Sequence, residues 1–147
     1  MPDSTIPDAV AADLRDLFLS AQPGGLSLPP DSVRPKHATT EPPSTRLVIL
    51  CGEPKHVPRM EATGVVDVSL EYITSMDHVS PAEHQAAAGH IDAWWREIRG
   101  AKRRDVVATR IYLHDLVNAQ ASTGIRTDDR EQVTTIRGKL TVTLVAI

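Results

Sequence analysis

Apolar residues recur along this chain with two different periods, and the change of period marks its elements. From Ser80 to Gly100 the spacing is helical: Ala87, Ile91, Trp94, Trp95 and Ile98 share one face. Ser80, Pro81 and Glu83 open that segment as a capping box, in which Ser80 accepts from the Glu83 N–H and Pro81 is preset for the first turn. Arg96 and Arg99 place positive charge where the helix dipole favours it, and Gly100 supplies the stop. A second helical stretch runs from Ile6 to Ala21, with Pro7 in its first turn and Val10, Leu14, Leu17 and Phe18 on one side.

Elsewhere the period is two. Gly64 to Thr74 is the clearest strand, with Val66, Val68, Leu70 and Tyr72 alternating against Asp67, Ser69 and Glu71. Leu47 to Cys51 is a short apolar run bounded by Gly52 and Pro54, and Ile111 to Val117 presents Ile111, Leu113 and Val117 on one side. From Gln132 to Ile147, Ile136, Leu140, Val142, Leu144 and Ala146 alternate with Thr135, Arg137, Lys139, Thr141 and Thr143. At about 3.3 Å per residue such a strand spans about 50 Å, whereas a globule of this length has a radius of gyration of about 15 Å. It is expected to bend at Gly138 or to project from the body. Ala121 to Arg130, with Gly124 and Asp128-Asp129, reads as the tip of the hairpin that joins it to the preceding strand.

These elements predict an α+β fold: an antiparallel-rich sheet of about four strands, helices packed on one face, and a long C-terminal β-hairpin. Two stretches break both periods. Gln22 to Arg46 carries six prolines (Pro23, Pro29, Pro30, Pro35, Pro42, Pro43) and Gly24-Gly25, so a long loop or arm lying over a surface is expected. Gly52 to Thr63 reads as a connection. The chain divides into an N-terminal helix (1–21), a Pro-rich loop or arm (22–46) and an α+β core (47–147), all within a single domain.

Composition changes this picture little. A chain of 147 residues with 41% hydrophobic content can bury a core without disulfides or metal. A formal charge of -3 gives no reason to expect general binding to nucleic acid or anionic membrane. The single Cys51 excludes an intramolecular disulfide. Apolar runs fall far short of a membrane span, and Met1 to Val10 is acidic and Pro-containing, unlike a secretory signal. A soluble protein folded in the cytoplasm is expected.

Candidate chemistry is sparse. Cys51 with His56 suggests a thiol nucleophile, but no motif surrounds them, and a cysteine ending an apolar strand reads as a small core residue. His78, His84 and His90 recur every six residues, which does not align side chains on a helix, so they read as solvated or capping residues rather than a metal site. His114 and Asp115 are adjacent in a strand and point to opposite faces. No cofactor or metal is called for.

Charge offers more. Arg96, Arg99, Lys102, Arg103 and Arg104 form a basic cluster. It complements the helix C-terminus, or serves as a patch for passing DNA or for acidic residues such as Asp13, Asp16, Asp128 or Glu131 on an identical subunit. Asp67, Ser69 and Glu71 face solvent or a neighbour, and so does the polar file of the last strand. Of Trp94 and Trp95, one faces the core, and the other sits at the edge of the stripe as an interface anchor or is buried against its own sheet.

The order of an N-terminal helix, the strand RLVIL at Arg46 to Leu50, the strand VVDVSLEYIT at Val65 to Thr74, the helix-opening DHVSPAEH at Asp77 to His84, and the closing RGKLTVTLVAI at Arg137 to Ile147 resembles tail terminator and tail-completion proteins of long-tailed bacteriophages. The resemblance covers Arg46 to Ile147. It implies a non-enzymatic virion protein of the tail or neck, assembled in the host cytoplasm. Its subunits would form a ring, commonly a hexamer, that caps the tail tube and meets the head connector. The implied partners are further copies of the chain, the tail tube protein and a head-completion or connector protein, with transient proximity to DNA and no membrane. Charge and hairpin geometry nominate Arg99, Lys102, Arg103, Arg104, Arg126, Asp128, Asp129, Arg130, Glu131, Arg137 and Lys139 as subunit or partner contacts. Three other readings remain open: a head-completion or connector adaptor, a small nucleic-acid-binding α+β module, and a small enzyme using Cys51.

Overall fold

One long strand carries the fold. Strand β4, Met60–Ser75, buries Val66, Val68, Leu70 and Tyr72 on one side, while Asp67 on the other is exposed. The period-two pattern thus becomes the two faces of a sheet. The protein is seen in a computed structural model that describes residues 6–26, 28–35, 45–52, 55–57, 60–98, 104–107, 110–126 and 130–143.

Six further strands surround β4: β1 (Val33–Pro35), β2 (Arg46–Cys51), β3 (Lys55–Val57), β5 (Arg104–Val107), β6 (Arg110–Arg126) and β7 (Glu131–Thr143). They form one sheet in the order β1-β2-β4-β7-β6-β5, with β3 also paired to β4. Every pairing is antiparallel except β1 with β2, so the sheet is mixed. The α+β class and the four principal strands, β2, β4, β6 and β7, stand as expected. Strands β1, β3 and β5 add three or four residues each.

Helices α1 (Ile6–Ala21) and α2 (Pro81–Glu97) both lie on the buried face. Val10, Leu14 and Phe18 of α1, and Ala88, Ile91, Trp94 and Trp95 of α2, share one core with Leu47, Ile49, Val66, Val68, Leu70, Tyr72, Ile136 and Leu140. Each fully buried large side chain of this kind contributes about 1.5–3 kcal/mol. Phe18 meets Trp94 edge-on at 5.2 Å, which joins the two helices. Both tryptophans are buried, so neither serves as an exposed anchor. The capping box forms: the Glu83 N–H donates to Ser80 Oγ at 3.2 Å, and the Ser80 hydroxyl donates to Glu83 Oε1 at 3.1 Å.

Three local expectations change. The Pro-rich stretch is not devoid of regular structure: 3-10 turns at Pro23–Gly25 and Pro30–Ser32 lead into β1. Arg15 clamps it, donating from Nε to the Val33 carbonyl at 2.8 Å and from Nη2 to that of Pro30 at 2.9 Å. Proline is tolerated because β1 is an edge strand. The supposed connection before Thr63 holds β3 and the start of β4. Strand β6 continues to Arg126, which shortens the hairpin tip to the residues between it and Glu131. Strand β7 stays paired across Gly138: its ladder with β4 runs without a register shift from Ser75↔Glu131 to Thr63↔Thr143. A partner of 16 residues lets it stay paired throughout, and the irregularities fall in β6 instead, between Leu113 and Gln120.

Candidate interaction surface

With both helices on one face of the sheet, the opposite face carries the polar file of β4 and that of β7, including Arg137 and Lys139. Register aligns them in rows: Glu71 beside Thr135, Ser69 beside Arg137, Asp67 beside Lys139. Arg137 and Lys139 are exposed, and Lys139 approaches Asp67 at 3.6 Å. Both side chains of that pair are about half exposed, so it contributes under about 1 kcal/mol.

The hairpin tip is tied to the body. Arg130 adopts a left-handed backbone (φ 51), its carbonyl accepts from the Met76 N–H at 2.9 Å, and its Nε meets Asp77 Oδ1 at 3.1 Å. Glu131 is different. Its carboxylate meets Arg46 Nη1 at 3.0 Å, with side chains only 14% and 12% exposed, so it is committed to its own chain. Arg104 and Arg126 mark the first residue of β5 and the last of β6. Arg99, Lys102, Arg103, Asp128 and Asp129 lie outside the described residues. Of the nominated acidic partners on α1, Asp16 is exposed, with Arg15 at 3.7 Å.

Neither a protein-family model nor a curated protein matches this chain.

Of the groups singled out for chemistry, Cys51 and His84 occupy structural positions, while the side chains of His56, His114 and Asp115 lie outside the described residues. Cys51 is half-buried against the core, and its thiol is pushed up to about 12 by burial and then by the Asp8 carboxylate. At neutral pH it holds essentially no thiolate, the form a nucleophile needs. His84 is neither solvated nor a cap. It is fully buried, with Nδ1 2.7 Å from Thr74 Oγ1 and Nε2 2.8 Å from Thr134 Oγ1, its ring stacked on Tyr72 at 5.0 Å. Gln132 extends the network, donating from Nε2 to the Val79 carbonyl at 3.0 Å and to Thr74 Oγ1 at 3.3 Å. His78 and His90 are exposed, and the His90 ring packs where a Cβ on Gly24 would fall.

A cleft of about 230 Å³ opens between α1 and the β1–β2 edge, lined by Asp8, Ala11, Ala12, Arg15, Arg34 and Ile49. The buried histidine was the residue least visible to pattern reading, yet a signal exists: His84 stands four and seven residues before Ala88 and Ile91, on the buried stripe of α2.

Proposed function

We propose that this chain is a structural virion protein of a long-tailed bacteriophage, a tail terminator that closes the tail tube as a ring and joins it to the head connector. One observation supports the reading above the rest. The strings that carry the resemblance fall on the elements that build the core: RLVIL on β2, VVDVSLEYIT on β4, DHVSPAEH on the turn and cap that open α2, and RGKLTVT on β7. The resulting sheet is covered by helices on one side and offers Asp67, Arg137 and Lys139 on the other. A surface of this kind fits a protein whose work is contact. A head-to-tail contact that repeats by a fixed rotation closes into a ring, with no chemistry beyond complementary surfaces.

The test is the mass of the purified chain by light scattering after size exclusion, over a concentration series at low and moderate salt, with negative-stain imaging of the same samples. Closed rings of about six subunits are expected, alone or on tail-tube ends. A monomer at every concentration that also fails to bind tube ends overturns the reading.

A further inference from the structure

Among the described residues, strand β6 is paired with β7 from end to end, apart from two register shifts, but with β5 at its start alone. On the β7 side its partners run from Ile111↔Thr143 to Arg126↔Glu131. On the other side β5 reaches only Arg110, Ile111 and Tyr112, and the strand order ends there. From Leu113 to Arg126, then, no strand among the described residues takes the hydrogen-bonding groups on the outer side of β6. An open edge of that length is a template for another strand, and proteins ordinarily blunt such edges with charge, proline or bulges.

The two halves of this edge are treated differently. Between Leu113 and Gln120 the register shifts twice, so bulges protect that half. From Gln120 to Arg126 the ladder is regular, with seven consecutive pairs. Within it, Gln120, Ala121, Ser122, Thr123, Gly124 and Ile125 include no charge and no proline. Ser122 and Gly124 are exposed. At about 3.3 Å per residue the bare stretch is about 20 Å long, the length of an ordinary strand.

We propose that the edge of β6 from Gln120 to Ile125 pairs with a strand from a second copy of this chain, so that the sheet continues from one subunit into the next. The absence of charge suits an identical partner in particular, because like charges brought opposite one another by self-association destabilise a strand pair. Backbone pairing supplies the affinity, and a run of residues without charge or proline leaves the backbone groups available to the approaching strand. The inference rests on the ring reading for the identity of the partner, and it locates the contact on the β6 edge, one strand over from Arg137, which pairs with Gln120.

Amide hydrogen exchange across a concentration series of the full chain tests it. Exchange in 120–125 is expected to slow at least tenfold as the chain goes from monomer to oligomer. Protection confined to this stretch means that two β6 edges pair with each other; protection there and on one other strand means head-to-tail pairing, as a ring requires. The double variant Ser122→Lys, Gly124→Lys adds the charge that natural edges carry, and a side chain at Gly124 meets nothing within 4 Å. It is expected to keep the monomer fold and weaken association at least tenfold. Should it fail to fold, the exchange measurement on the unaltered chain decides alone. An oligomer with unprotected 120–125 amides, or one that the double variant leaves intact, overturns the edge and spares the ring. A chain that stays monomeric alone and with tube ends overturns both.

Discussion

Replacing His84 with alanine is expected to cost about 4 kcal/mol of folding stability. The ring is fully buried and links α2 to β4 and β7 through hydrogen bonds of 2.7 and 2.8 Å. Losing two such bonds removes about 2 kcal/mol, and the hole left by the ring about as much again, if the hydroxyls find partial substitutes. Leucine refills much of the volume and should cost about half as much, which separates packing from hydrogen bonding. Acid should act on the same site. Each ring nitrogen faces a threonine hydroxyl, so in the neutral ring one nitrogen donates to its hydroxyl and the other accepts from its own. A second ring proton would make both nitrogens donors, so the threonine hydroxyl that donates to the neutral ring would have to turn its proton away. Among the described residues no charged side chain is placed to stabilise that proton. Tyr72 is the titratable group in contact. On α2, Glu83 is engaged by Ser80. Asp77 and Arg130 pair in the exposed turn, and Arg46 and Glu131 belong to the opposite face of the sheet.

Burial accordingly holds the imidazole below its ordinary value of 6.5. Between the folded and unfolded values the unfolded chain binds the extra proton, so this contribution is fully present above about pH 6.5 and is lost as pH falls through the window. The slope is at most about 1.4 kcal/mol per pH unit. Urea denaturation followed by the fluorescence of buried Trp94 and Trp95, at several pH values from 7.5 to 5, measures both effects. The reasoning fails if both variants lie within about 0.5 kcal/mol of the unaltered protein at neutral pH, or if they retain its dependence on pH.

Glu131 offers a second decision, between a subunit contact and an internal tie. Glu131→Gln should lower monomer stability by about 2 kcal/mol, and a double-mutant cycle with Arg46→Met should show a coupling of about 1 kcal/mol or more; unchanged stability with lost association would return Glu131 to the interface. Cys51 should react with a soluble disulfide reagent at pH 8 at least a hundredfold more slowly in the native chain than in urea, because burial holds it as the thiol. Rapid native labelling would reopen the thiol-enzyme reading.

Local pattern determined the helices and the faces of the strands. Ile6–Ala21 and the capped start of α2 were legible because helical period and N-capping depend only on residues a few positions apart. The apolar files of β4 and β7 were legible for the same reason. Those files also carry Thr74, Gln132 and Thr134, whose polarity looks like the end of a buried face until the register sets Thr74 beside Gln132 and Tyr72 beside Thr134, under His84. Pairing decided what length could not: β4, distant in sequence and long enough to match the last strand, pairs with it from Glu131 to Thr143 without a register shift. The uncharged run from Gln120 to Ile125 is plain in the sequence, yet only strand order makes it an edge. Side-chain period is written along the chain, whereas register and edges arise between segments far apart in it, and they exist only once the sheet has formed.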